Sequence, residues 1–271
     1  MNIRWIIDPP ADGATNMARD EAILQAVGGG RSPATLRFYQ WQPATISLGY
    51  FQRFADYTAL PPPAGMLPVV RRQTGGGAIL HDLELTYSLT LPLSHPLTAA
   101  GGPHRLYEHV HSAFSALLRR LDVPVVRGPA GAGACSHGGP FFCFEHHTGF
   151  DLVVNGKKIL GSAQRRTPTA VLQHGSLILD RRYDQQSCAA VADFVTIDIR
   201  EHLPALADRI KTSHSCDGVQ HGDISAAAVF DARGAGDAGV LGSPALCGGV
   251  RRRIADGAPR KRIDPTNVSM A

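Results

Sequence analysis

The stretch Arg71-Arg72-Gln73-Thr74-Gly75-Gly76-Gly77-Ala78-Ile79-Leu80-His81-Asp82 sets two cations, three glycines and a titratable imidazole side by side. Three glycines in a row leave no Cβ between the backbone and a ligand. Downstream, Asn155-Gly156 stands between two apolar runs, the strongest short hairpin signal, and delivers Lys157 and Lys158 to the start of a second ribbon. Strand alternation predicts Lys157, Ile159, Gly161 and Ala163 on one face and Lys158, Leu160, Ser162 and Gln164 on the other, so only one lysine can serve a given pocket. The small residues Gly161, Ser162 and Ala163 leave room for a substrate beside it.

Just ahead of that hairpin, Cys143 lies in Phe141-Phe142-Cys143-Phe144-Glu145-His146-His147. Packed among aromatics it is an inert thiol; beside an ammonium it becomes a thiolate and a nucleophile. Zinc is the competing chemistry, through Cys135-x-His137 and Cys143-x-x-His146-His147, although that spacing matches no standard closed site. The glycine run has neither the Gly-Lys-Ser/Thr ending of a P-loop nor a dinucleotide fingerprint, so pattern alone assigns it no phosphate.

These groups need a frame. Residues 14–27 have a helical pattern, with Asp12 as cap and Gly28-Gly29-Gly30 as stop. Thr35–Tyr39 and Ala44–Leu48 are β-rich and read as a strand pair, and 84–91 alternates as a half-buried strand does. The glycines therefore fall between strands. Residues 103–122 form the clearest helix, with Leu106, Val110, Phe114, Leu117, Leu118 and Leu121 on its core face and His104, His109 and His111 assigned to its polar side. Strands at 149–154, 157–164 and 170–179 follow, and Leu203, Leu206 and Ile210 suit a short helix. The order predicts an α+β fold with a mixed, largely antiparallel sheet and flanking helices.

At 271 residues the chain can bury a full core in one domain. Five scattered cysteines, an odd number, argue for free thiols rather than a disulfide framework. The start of the chain lacks the apolar core of a signal peptide and no apolar run suits a membrane span, so a cytoplasmic location and no membrane partner are expected. The net charge of +4 belongs to residues 251–271, which hold six Arg and Lys against two Asp. No basic face with interleaved aromatics accompanies it, and no nucleic-acid partner is expected. We expect a catalytic domain over 1–231 and a poorly ordered basic tail over 232–271.

The motifs at 71–82 and 155–164, followed by Leu172-Gln173-His174-Gly175-Ser176-Leu177, resemble the biotin/lipoate protein ligase superfamily on its lipoate side. Asn16-Met17-Ala18-Arg19-Asp20-Glu21-Ala22, Leu36-Arg37-Phe38-Tyr39-x-Trp41 and Ser47-Leu48-Gly49-Tyr50-Phe51-Gln52 agree with it. The resemblance implies a class II synthetase/biotin-lipoate ligase catalytic fold. Cys143-Phe144-Glu145, where ATP-dependent lipoate ligases carry an Arg-Asn-Asp type sequence, is similar to the cysteine-dependent octanoyl transferase branch. A second branch places its cysteine after the lysine, where Cys188 lies in an Ala-rich, helix-like context that does not suit it.

That branch implies transfer of an octanoyl group from octanoyl acyl carrier protein, through a Cys143 thioester, to a lysine of a lipoyl domain or glycine-cleavage H protein. Cys143 and Lys158 are then catalytic. Arg72, Gly75, Gly76, Gly77, His81, Ser162 and Ala163 bind substrate, and neither cofactor nor metal is implied. Arg71, Arg165 and Arg166 would guide the two acidic partners. The alternatives are an ATP-dependent lipoate-protein ligase, an octanoyl amidotransferase between lipoyl domains, and a non-catalytic acyl- or zinc-binding module.

Overall fold

A computed structural model of the chain describes residues 3–99, 102–129 and 140–212. The expected tail at 232–271, and Cys135, Cys216 and Cys247, lie outside the described residues. In chain order the elements are β1 (Arg4–Ile7), α1 (Gly13–Gly28), β2 (Thr35–Tyr39), β3 (Thr45–Leu48), α2 (Phe54–Thr58), β4 (Val69–Arg71), β5 (Ile79–His81), β6 (Glu84–Pro92), α3 (Pro96–Ala99), α4 (His104–Arg120), β7 (Val126–Arg127), β8 (Leu152–Val154), β9 (Lys157–Arg166), β10 (Ala170–Ile178) and α5 (Leu203–Lys211). Seven strands form one sheet in the order β1-β2-β6-β10-β9-β8-β7, antiparallel except for β1 on β2, and β4-β3-β5 form a second. This is the expected mixed, largely antiparallel architecture with flanking helices.

The expected pairing of Thr35–Tyr39 with Ala44–Leu48 does not occur. β2 lies between β1 and β6 in the large sheet, whereas β3 joins β4 and β5 in the small one. Strand propensity gives an element but not its partner, and here the Trp41–Pro43 connection carries the chain from one sheet to the other. Nor is β6 half-buried. Leu85, Tyr87, Leu89 and Leu91 join the main core with Leu106, Val110 and Phe114 of α4, but Thr86, Ser88 and Thr90 are buried as well. Their face is covered from the other side, where α1 packs on β6 and β10 and Trp41 Nε1 donates to Thr86 Oγ1.

α1 begins as expected, with the Asp12 carboxylate accepting from Thr15 N at 2.8 Å, and it docks through charge as much as through Met17, Leu24 and Val27. The fully buried Arg37 of β2 donates to Asp20 (2.8 Å), Asn16 Oδ1 (2.7 Å) and Asp8 (2.6 Å) and lies over the Tyr39 ring. Arg37→Met strands two carboxylates, one of them buried, and should cost about 3–5 kcal/mol, read as a lower urea midpoint at unchanged slope. Burial alone would raise the Asp20 pKa, but hydrogen bonds and charge from His174 and Arg37 outweigh it and hold the carboxyl below its ordinary 3.8. The stability Asp20 contributes is thus present above pH 3.8 and is lost as pH falls through the lower folded value.

Candidate functional site

The three glycines lie in the loop from β4 to β5, and Arg72 is threaded behind them. Its guanidinium donates to Gly75 O (2.8 Å), Gly77 O (2.6 Å), Ser47 O (2.9 Å) and Thr74 Oγ1 (3.2 Å). Arg72 therefore stiffens the loop from inside. Gly76 has φ +92°, a conformation that favours glycine, and a Cβ there would lie 3.7 Å from Cys143 Sγ. At Gly77 a Cβ would stand 3.0 Å from Cys143 N and 3.1 Å from Phe141 O. The missing side chains let the cysteine segment come in.

That segment is fixed by backbone pairing: Ala78 N donates to Phe141 O and Cys143 N to Ala78 O, both at 2.8 Å. Cys143 then opens a short 3-10 turn over Cys143–Glu145 and stays half-buried, while Phe144 is buried against Ile178, Cys188 and Ala190.

Lys158 reaches the sulfur because the hairpin is irregular. The turn forms as expected, with Asn155 at φ 50° and Gly156 at φ 75°. Val154 pairs with Lys157 and Val153 with Lys158, but Leu152 pairs with Leu160, leaving Ile159 as an extra residue. Ile159 and Leu160 both enter the core, and Lys158 passes to the face of Gly161, where a Cβ would overlap Lys158 Cε. The predicted grouping of Lys158 with Leu160 and Ser162 is thus corrected by one bulge. Lys157 is exposed, as expected for the other lysine.

Only 2% exposed, Lys158 directs its Nζ to Asp151 Oδ2 (3.0 Å), Cys143 Sγ (3.8 Å) and His146 O (3.4 Å). Asp151 is equally buried, and its carboxylate also accepts from Thr148 N at 2.7 Å. Sequence inspection missed this residue, although a signal was there. Counting back from the Asn-Gly turn, a regular hairpin sets position 151 opposite 160 and so on the face of 158.

Cys143 stands at a cavity of about 420 Å³, open mouth included, lined among others by Trp41, His81, Gly161, Ala163 and His174. His81 is held on three sides. Its ring stacks on Trp41 at 3.8 Å, Nδ1 donates to Glu84 at 2.7 Å, and Nε2 meets Ser47 Oγ at 2.8 Å. Burial lowers its pKa despite the opposing pull of Glu84, which keeps the imidazole neutral, with Ser47 donating to Nε2. His174, quoted in a motif but given no role, bonds Thr74 Oγ1 at 2.6 Å and so ties β10 to the glycine loop.

Ser162 also borders the cavity, but its hydroxyl is committed elsewhere, to Tyr87 Oη and His111 Nε2, each at 2.6 Å. His111 is fully buried rather than on a polar face, and burial lowers its pKa to about 4; His109 likewise turns inward, its Nε2 2.8 Å from Ile210 O. Arg71 is spent on the carbonyls of Gly49, Tyr50 and Gln52, whereas Arg165 lies over the Tyr50 ring at 5.5 Å. Cys188 lies outside any helix or strand and is buried. Among the described residues no group of three or more His, Cys, Asp or Glu is placed to hold a metal, and no helix is long and apolar enough to cross a membrane.

The chain is similar to several known proteins. Residues 12–203 match the lipoyl protein ligase A/B catalytic domain. Octanoyltransferase LipM of Moorella thermoacetica is 43% identical over 172 residues, 62% of each chain, and that of Kyrpidia tusciae 39% over 199 residues, 70% of each. The chain thus spans somewhat under two thirds of the length of the first of these relatives. Among solved structures, a lipoate-protein ligase A bound with ATP superposes with a TM-score of 0.60 at 24% identity, covering 77% of this chain and 84% of that one. The bipartite lipoate protein ligase of Thermoplasma acidophilum gives 0.55 at 23%, covering 77% and 82%. Both show the same fold. A family match over most of the described chain, on the residues that build the glycine loop and the lysine hairpin, has one conclusion: the chain belongs to the lipoyl protein ligase A/B catalytic domain family.

Proposed function

We propose that the chain is an octanoyl transferase that works through a Cys143 thioester without ATP. The observation that carries this is the buried ammonium of Lys158 at 3.8 Å from a half-buried sulfur at the cavity. An ammonium in that position favours thiolate over thiol and makes the cysteine a nucleophile. A ligase that activates its acid with ATP has no use for such a sulfur. The names of the relatives point the same way.

In the first half-reaction the thiolate attacks the octanoyl thioester of acyl carrier protein; the new C–S bond forms, the old one breaks, and the carrier thiolate leaves and takes a proton. In the second, the ε-amine of a lysine on a lipoyl domain or glycine-cleavage H protein attacks the thioester carbonyl. The C–N bond forms, the C–S bond to Cys143 breaks, and the amine proton passes to the departing sulfur. Thioester exchange is nearly isoenergetic and amide formation runs downhill, so no nucleotide is consumed. Within this scheme Gly76 and Gly77 make room for the Cys143 segment rather than for the acyl chain, Gly75 borders open space, and Ala163, Arg72 and His81 line the cavity that takes the chain. Ser162 contributes backbone and Cβ rather than its hydroxyl, and Arg165, over the Tyr50 ring, offers a cation to acidic carriers.

The test is incubation with octanoyl acyl carrier protein in the absence of ATP, followed by intact mass. A single octanoyl adduct that hydroxylamine removes is the expected result; protein that stays unmodified until ATP and free octanoate are supplied would reverse the assignment in favour of a ligase.

A further inference from the structure

The placement that makes Cys143 reactive also creates a hazard, given the thioester proposed above. Once the sulfur carries an acyl group, the carbonyl carbon is one bond from Sγ, and Lys158 Nζ is 3.8 Å from that sulfur. A neutral Lys158 amine would attack it: a C–N bond forms, the C–S bond breaks, and the amine's proton goes to the departing sulfur. The product is an amide on the enzyme itself. No thiol exchange reverses it, and the protein is lost to further turnover.

Two features push Lys158 toward that neutral form. It is only 2% exposed, and burial disfavours an ammonium. Acylation also removes the thiolate, the negative charge that helps hold the proton in the free enzyme. Around Nζ lie the His146 carbonyl at 3.4 Å, the face of Phe144 at 5.3 Å and the Asp151 carboxylate at 3.0 Å. Of these, Asp151 alone carries a full charge. It is buried, so solvent screens it little, and its bond from Thr148 N fixes its direction.

We propose that Asp151 is a positioning residue that keeps Lys158 protonated through the acyl-enzyme stage, so that the octanoyl group leaves for the acceptor lysine and not for Lys158. The acyl-enzyme then holds a neutral ion pair instead of a lone buried amine. This inference rests on the transferase reading, and it assigns Asp151 a task distinct from raising the reactivity of the sulfur.

The experiment uses the full chain loaded from octanoyl acyl carrier protein without any acceptor, sampled over time, treated with hydroxylamine, weighed intact and mapped after digestion. Wild type and Asp151→Glu should lose the whole adduct to hydroxylamine at every time. In Asp151→Asn and Asp151→Ala a resistant adduct should grow on Lys158 about tenfold or more faster than in wild type, because loss of a close carboxylate favours the neutral amine. Adding Lys158→Arg to Asp151→Asn should remove it. A fully labile adduct in both carboxylate-free variants, or a resistant one that grows as fast in wild type, overturns the inference while leaving the transferase standing. No adduct on wild type at all overturns both.

Discussion

Cys143→Ala should abolish the hydroxylamine-labile adduct and lower octanoyl transfer on the order of 10⁴-fold or more, the usual scale when a covalent nucleophile is removed. Among the described residues the site gives the reaction no second thiol. Cys188 is the other described cysteine, and it packs against Phe144, Ile178 and Ala190, with burial pushing its pKa up to about 11. It also opens toward a separate cavity beside Gln186 and Arg181. Cys188→Ala should therefore acylate at the wild-type rate. Rate of adduct formation by intact mass, on both variants in parallel, checks the pair. An adduct that survives in Cys143→Ala and disappears in Cys188→Ala would move the nucleophile to Cys188 and dismantle the proposed chemistry.

The parts of this site that were visible in the sequence are those where a local signal coincides with a local need. Asn155-Gly156 takes positive φ at both positions because a two-residue hairpin requires it, and only such residues adopt it cheaply. The Leu/Phe stripe of 103–122 becomes the core face of α4 because helical spacing does not depend on what lies opposite. Partnership is not local. Nothing in Thr45–Leu48 says that it joins β4 and β5 rather than β2, and the polar residues of β6 suggest water where α1 and Trp41 stand.

The bulge at Ile159 shows the limit most sharply. Ile159 and Leu160 are both apolar, so the pattern admits either face for Lys158, and a shift of one residue exchanges the two faces. Asp151 went unnoticed for a related reason: an aspartate before an apolar strand looks like a turn residue until a cation is known to share its face.

Gly161→Ala tests whether the position of Lys158, rather than its mere presence, governs the sulfur. The glycine forms a notch on β9 across which the lysine stem runs: a Cβ there would overlap Lys158 Cε, lie 2.6 Å from Nζ and stand 3.3 Å from Asp151 Oδ1. The colliding atoms are the far end of a long side chain and not backbone, so the strand can keep its pairing with β10 while the ammonium is displaced. The protein should stay folded, with a melting temperature close to wild type. Activity should not. A misplacement of about 1 Å at reacting groups costs on the order of 10²-fold, and transfer should fall by about that factor. Alkylation of Cys143 by iodoacetamide should slow alongside it, because a more distant ammonium stabilises the thiolate less. Wild-type transfer and alkylation in a folded Gly161→Ala protein would mean that the sulfur owes nothing to where Lys158 lies. In that case the bulge that brings the lysine to this face would be a packing accommodation for Ile159 and Leu160 alone.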